Sequence, residues 1–250
     1  MKIGIIQGRL SPPILGFQEC PEDWSREFSL LSRLNLNHIE WVVTKKYFES
    51  NPIFYENVNT YAISSICADN LVDKQIIEKA YFFENVIPIC NAATKNEIKN
   101  ITIPLLEDSD MTDDEHRKIF CSYIKDISER YENLNFSIEA ELAPDKLDQI
   151  ISINDRFYVT YDTGNITSFG LNHENYIERF GDRINNVHLK DRTFDAQTVA
   201  PFTGDTDFKQ IFINYDGVFT LQTARHTTGK EVETITQHKN MFEELYNECA

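Results

Sequence analysis

Short apolar runs rich in β-branched residues recur along the chain, and the segments between them carry apolar residues at helical spacing. KIGIIQG from Lys2, HIEWVV from His38, AISSICA from Ala62 and ITIPLLE from Ile101 each read as a strand. So do FSIEAEL from Phe136, FYVTYD from Phe157, NNVHLKD from Asn185 and VFTLQTA from Val218. DDEHRKIFCSYIKDISERY from Asp113, ENYIERFG from Glu174 and the stretch through MFEELYNE read as helices. A βα unit repeated eight times implies a parallel sheet with crossover helices. Within 250 residues it predicts an α/β fold of the (β/α)8 TIM-barrel type, one domain over residues 1–250. No G-x-G-x-x-G follows the first strand, which argues against a dinucleotide-binding sheet.

The polar residues inside these runs fall on one parity. The fifth strand carries Glu139 and Glu141, the sixth Thr160 and Asp162, the seventh Asn186, His188 and Lys190, and the eighth Thr220 and Gln222. In a barrel, alternate strand residues point inward, and those at the C-terminal ends surround the active site. Unpaired buried charges cost several kcal/mol each, on the order of 3 or more, unless they neutralise one another or share a cation. Glu139, Asp162 and His188 form a mixed oxygen and nitrogen set suited to Mn, Co, Zn or Mg, with the Gln222 carbonyl as a fourth ligand. Taken singly, each has an ordinary explanation: a strand histidine is usually hydrogen-bonded in the core, and Asp-Thr-Gly-Asn at 162–165 is good turn chemistry. It is their coincidence at neighbouring strand ends that points to a metal. Asp-Thr-Gly also occurs in aspartic proteases, but those need a second carboxylate sharing the proton, usually from a second copy in an all-β fold. This chain has one copy, and helices follow its strands.

Charge narrows the partners. Lys and Arg total 24 against 40 Asp and Glu, a formal net charge of -16, which disfavours nucleic acid and anionic membranes. A small anionic substrate stays compatible with that charge if arginines converge locally. Five scattered cysteines without a CxxC pair fit reduced thiols in the cytoplasm. The apolar run before Gln7 and Arg9 is too short for a signal peptide or a membrane span.

IGIIQGRLSPP, HIEW, SICADN, SIEAEL, YDTGN, NVHLKDR, TGDTDF and LQTAR, in this order and spacing, resemble the xylose isomerase-like TIM-barrel superfamily, in its sugar phosphate isomerase/epimerase branch. The resemblance spans nearly the whole chain. It implies a divalent-metal-dependent isomerase or epimerase of a sugar or sugar phosphate, moving a proton through a metal-stabilised enediolate. Glu139, Asp162 and His188 take the positions of three ligands. The fourth is usually a glutamate where this chain has Gln222, and an amide cannot remove a proton. A one-base mechanism follows, with Glu139 as base, Glu141 or Glu107 as substitutes for it, and Lys190 as the acid opposite.

Gln7, Arg9, Glu107, Asn165, Arg192 and Arg225 are the candidate substrate-binding residues, the arginines suiting a phosphate or carboxylate. Trp41 and Phe17 are candidates for a sugar pocket and, more simply, for core packing. Barrels of this kind often associate as homo-oligomers, but no distinctive apolar patch in the sequence marks a surface for it. The same apparatus would serve a dehydratase of a keto-sugar or keto-inositol, and a barrel that kept the fold without the chemistry would bind sugar only. A DNA-repair endonuclease of the same fold would need more histidines and a basic surface.

Overall fold

A computed structural model describes residues 1–13, 20–46, 48–72, 76–224 and 228–249. Eight parallel strands close into a barrel: β1 (Lys2–Ile6), β2 (Ile39–Val42), β3 (Ile63–Cys67), β4 (Asn100–Leu105), β5 (Asn135–Ala140), β6 (Phe157–Asp162), β7 (Ile184–Leu189) and a last one that follows a small hairpin. The hairpin consists of β8 (Asp191–Arg192) and β9 (Thr198–Val199), paired antiparallel, and the closing barrel strand is β10 (Val218–Leu221). Each of the eight strand expectations falls on one of these, with ends differing by at most three residues. The helices are α1 (Trp24–Leu34), α2 (Lys79–Lys95), α3 (Asp114–Arg130), α4 (Pro144–Ile151), α5 (Thr163–Ser168), α6 (His173–Phe180), α7 (Phe208–Asn214) and α8 (Glu231–Cys249). By their contacts the residues group into two compact units, Met1–Ile39 with Tyr161–Ala250 and Glu40–Thr160.

In the first unit β1 pairs with β10, Lys2 opposite Val218, and β10 with β7, Thr220 opposite His188. That register stacks the inward-facing polar residues in layers. The Thr220 hydroxyl donates to Asn186 Oδ1 at 2.8 Å and lies 3.1 Å from His38 Nε2, all buried. Gly4 sits against the His38 ring, where a Cβ would come within 2.3 Å of it, so only glycine lets this layer close. On the other face, Phe208, Phe212, Phe219, Phe242 and Tyr246 interlock with centroids 4.9–6.3 Å apart and seat α7 and α8 against β10. Each of the four buried phenylalanines contributes roughly 1.5–3 kcal/mol relative to exposure.

In the second unit β4 runs in register with β5 over Asn100–Leu105, and β5 with β6 from Phe136 opposite Phe157. Here the interior layer is Glu40, Thr102 and Thr160, with the Thr102 hydroxyl donating to Glu40 Oε1 at 2.7 Å. Phe82, Phe120 and Tyr123 bring α2 and α3 together. Trp41 is fully buried and donates its indole N–H to Asn51 Oδ1 at 2.9 Å, so of its two candidate roles the structure gives it the core. No helix among the described residues is long and apolar enough to cross a membrane.

Candidate functional site

Asp162 ends β6 and caps α5. Its backbone is extended (φ -87°, ψ 112°) and its Oδ1 accepts the Asn165 N–H at 2.8 Å, so the turn chemistry of Asp-Thr-Gly-Asn is realised as a helix cap. Oδ2 faces the Lys190 ammonium at 3.0 Å, in a pair whose side chains are 1% and 12% exposed. Burial alone pushes this carboxyl up. Lys190, His188, the Asn165 N–H and Arg192 together reverse that and hold it below the usual carboxylate range.

The tripeptide around Asp162 explains itself one residue at a time. The Thr163 hydroxyl donates to the Lys190 carbonyl at 2.6 Å and accepts the Lys190 N–H at 3.0 Å, a two-point clamp from α5 onto the end of β7. Gly164 provides a floor: a Cβ there would lie 3.1 and 3.2 Å from Lys190 Cγ and Cδ and 3.0 Å from Arg192 Cγ. Asp-Thr-Gly thus supplies a carboxylate, a clamp and a shelf.

Glu139, Asp162 and His188 are all buried, and each offers a ligand atom within 4.8 Å of the other two; among the described residues this is the one such group. Two carboxylates and an imidazole match the donor chemistry of a divalent cation. Gln222 follows β10 on the parity of Thr220, and its N–H donates to the Leu189 carbonyl at 3.1 Å. Its Oε1 is buried and receives no hydrogen bond among the described residues. Leaving such an acceptor unmatched costs about 1–3 kcal/mol, and a cation would satisfy it.

The other candidates fall out differently. Asn165 is buried and acts through its backbone on Asp162. Arg192 lies along the hairpin, 3.4 Å from Thr198 Oγ1 and from Ser168 Oγ, beside Gly164. Gln7 is fully buried and Arg9 partly buried just past β1. Glu107 is exposed, opening a 3-10 turn with a left-handed φ of 52°, and Glu141 is half-buried just past β5. Arg225 and Phe17 lie outside the described residues.

Two carboxylates that organise loops here went unread in the sequence. Glu27 of α1, 1% exposed, accepts the N–H groups of Gly8 and Leu10 at 2.8 and 3.0 Å and so shapes the turn bearing Arg9. Asp191, also 1% exposed, accepts N–H groups of Thr203, Gly204 and Thr206 and folds the TGDTDF loop back on the hairpin. Gly204 beside two acids was the available signal: a Cβ there would lie 2.4 Å from Asp191 Oδ1.

No family model and no curated protein matches the sequence. Solved structures do match the fold. The IolI protein with a bound zinc atom superposes with a TM-score of 0.75 at 15% identity, over 100% of this chain and 99% of that one. An L-ribulose 3-epimerase gives 0.76 at 11% identity, over 99% and 95%. The probable 3-DHS dehydratase AsbF from Bacillus anthracis gives 0.71 at 12% identity, over 96% and 98%. With these neighbours, and with xylose isomerase domain proteins also among the matches, the chain has the xylose isomerase-like TIM-barrel fold.

Proposed function

We propose that this protein is a divalent-metal-dependent enzyme that moves a proton next to the carbonyl of a sugar or sugar phosphate, as an isomerase or epimerase. The observation that carries the reading is the buried convergence of Glu139, Asp162 and His188. Asp162 and His188 would hold the ion, Glu139 would hold it and take the proton, and Gln222 would add a neutral oxygen. When bound, Mn, Co, Zn or Mg supplies Lewis-acid polarisation of the substrate carbonyl. Glu139 removes the proton from the adjacent carbon and returns it to the neighbouring one. Lys190, anchored on Asp162, presents positive charge to the oxygen that becomes negative as the proton leaves.

Gln222 tells against epimerisation through two opposed glutamates, because an amide exchanges no carbon-bound proton at neutral pH. The same observation favours a second reading, dehydration of a keto-sugar or keto-inositol, which needs one base to lift a proton α to a carbonyl before the β-hydroxyl departs. Arg9 and Arg192 are the described cations that would meet a phosphate or carboxylate. Five free thiols accord with a reducing, cytoplasmic setting.

The test is a screen of aldoses, ketoses, their phosphates and keto-inositols in deuterated water, with Mn, Co, Mg and Zn supplied in turn. Wild type should place solvent deuterium on a substrate carbon, and Glu139→Gln should abolish that incorporation. A sugar that binds without acquiring deuterium under any metal would make this a sugar-binding barrel without the chemistry.

A further inference from the structure

We propose that Lys190 is a built-in counter-cation that shares the Asp162 carboxylate with the metal, opposing the ion there and thereby setting its affinity. This rests on the metal reading above and adds a regulator to it. The structure gives Lys190 little freedom to do otherwise. Its ammonium lies 3.0 Å from Asp162 Oδ2, with both side chains largely buried. Thr163 fixes its backbone at both the N–H and the carbonyl, and its stem lies in the space that Gly164 leaves open. Three consecutive residues, Asp162, Thr163 and Gly164, thus receive one lysine.

Charge counting gives the arrangement its meaning. Glu139 and Asp162 contribute two negative charges, and Gln222 contributes none. A divalent ion alone would therefore neutralise the donor set. With the ammonium retained, the ion leaves one positive charge in excess, and in a buried setting like charges oppose one another strongly. The metal is held more loosely than the donor atoms alone would hold it, and the surplus charge is available to an anionic substrate or to the charge that develops as a proton leaves carbon. Linkage makes the effect reciprocal: whatever the ion costs the Lys190–Asp162 pair, the pair costs the ion.

The experiment is cobalt and manganese titration of the chelator-treated protein, read by calorimetry and by the visible cobalt spectrum, in wild type, Lys190→Met and Gly164→Ala. Removing the ammonium should tighten metal binding by about tenfold or more. Gly164→Ala keeps the charge but crowds the stem off its floor, and should tighten binding by a smaller factor. Metal binding in Lys190→Met where wild type takes up none would also support the proposal, as a site that the lysine closes. If wild type binds metal and both variants bind it equally or more weakly, Lys190 is no competitor, while the metal reading stands. If none of the three binds metal, the metal reading fails and this proposal with it. Should Lys190→Met not fold, Gly164→Ala decides alone.

Discussion

Replacing Asp162 by Asn keeps a side chain able to cap α5 but leaves the Lys190 ammonium facing an amide in a nearly buried position. Breaking a buried pair from one side costs on the order of 3 kcal/mol. Urea unfolding of metal-free Asp162→Asn should show a loss of that size, and most of it should return in the double variant Asp162→Asn, Lys190→Met. His173 gives a separate, pH-dependent prediction. Burial pulls its pKa down to about 4; Tyr161 donates to Nδ1, and the Nε2–H can then donate to Thr167 Oγ1 at 3.0 Å, so the neutral ring is satisfied. The unfolded chain takes up this proton near pH 6.5 and the folded one only near 4. Stability from this group is therefore complete above pH 6.5 and is lost as pH falls from there to about 4, by roughly 3 kcal/mol in all. Stability measured at pH 7 and 4.5 should differ by less in His173→Gln than in wild type.

At the scale of elements, loops are held by buried carboxylates that accept backbone N–H groups. Asp191 is the clearest case, because its two oxygens serve three N–H groups across the hairpin and the TGDTDF loop. Asp191→Asn turns one acceptor into a donor aimed at N–H groups and should cost about 1–3 kcal/mol. Amide exchange should accelerate first at Thr203, Gly204 and Thr206 and leave β4 and β5 untouched.

The strands were legible in the sequence because short β-branched apolar runs recur between helical segments, and the polar parity is plain on β5, β6, β7 and β10. The convergence of Glu139, Asp162 and His188 was legible because they stand on the polar parity at strand ends, where the barrel prescribes the direction of a side chain. Past the strand ends that prescription lapses. Glu107 read as a substitute base and a substrate-binding candidate, and it proves exposed on a left-handed turn. Lys190 read as a catalytic acid, and its grip on Asp162 depends on a clamp and a floor from another element, which no spacing within β7 encodes. The paired interiors His38 with Thr220 and Glu40 with Thr102 depend on register between strands, which one strand's pattern does not carry.

For the whole molecule, a ligand that binds only the folded state stabilises it by mass action. Cobalt or manganese at a hundredfold excess over its dissociation constant should add about 2.7 kcal/mol, raising the melting temperature by roughly 5–10 °C in a chain of this size. Chelator should reverse the shift, and Asp162→Ala should abolish it. The net charge of -16 adds a general repulsion that salt screens, so these titrations belong at fixed ionic strength.

The pairing of β1 with β10, Lys2 opposite Val218, also has a bearing on biosynthesis. At about 5–20 residues per second, a ribosome has emitted β1 ten seconds or more before β10 exists. Throughout that interval the edge of β1 meant for β10, a row of backbone N–H and C=O groups, has no lawful partner. A nascent chain stalled before Tyr215 should accordingly stay protease-sensitive at its amino-terminal end and recruit holdase chaperones, and release from the stall should end both.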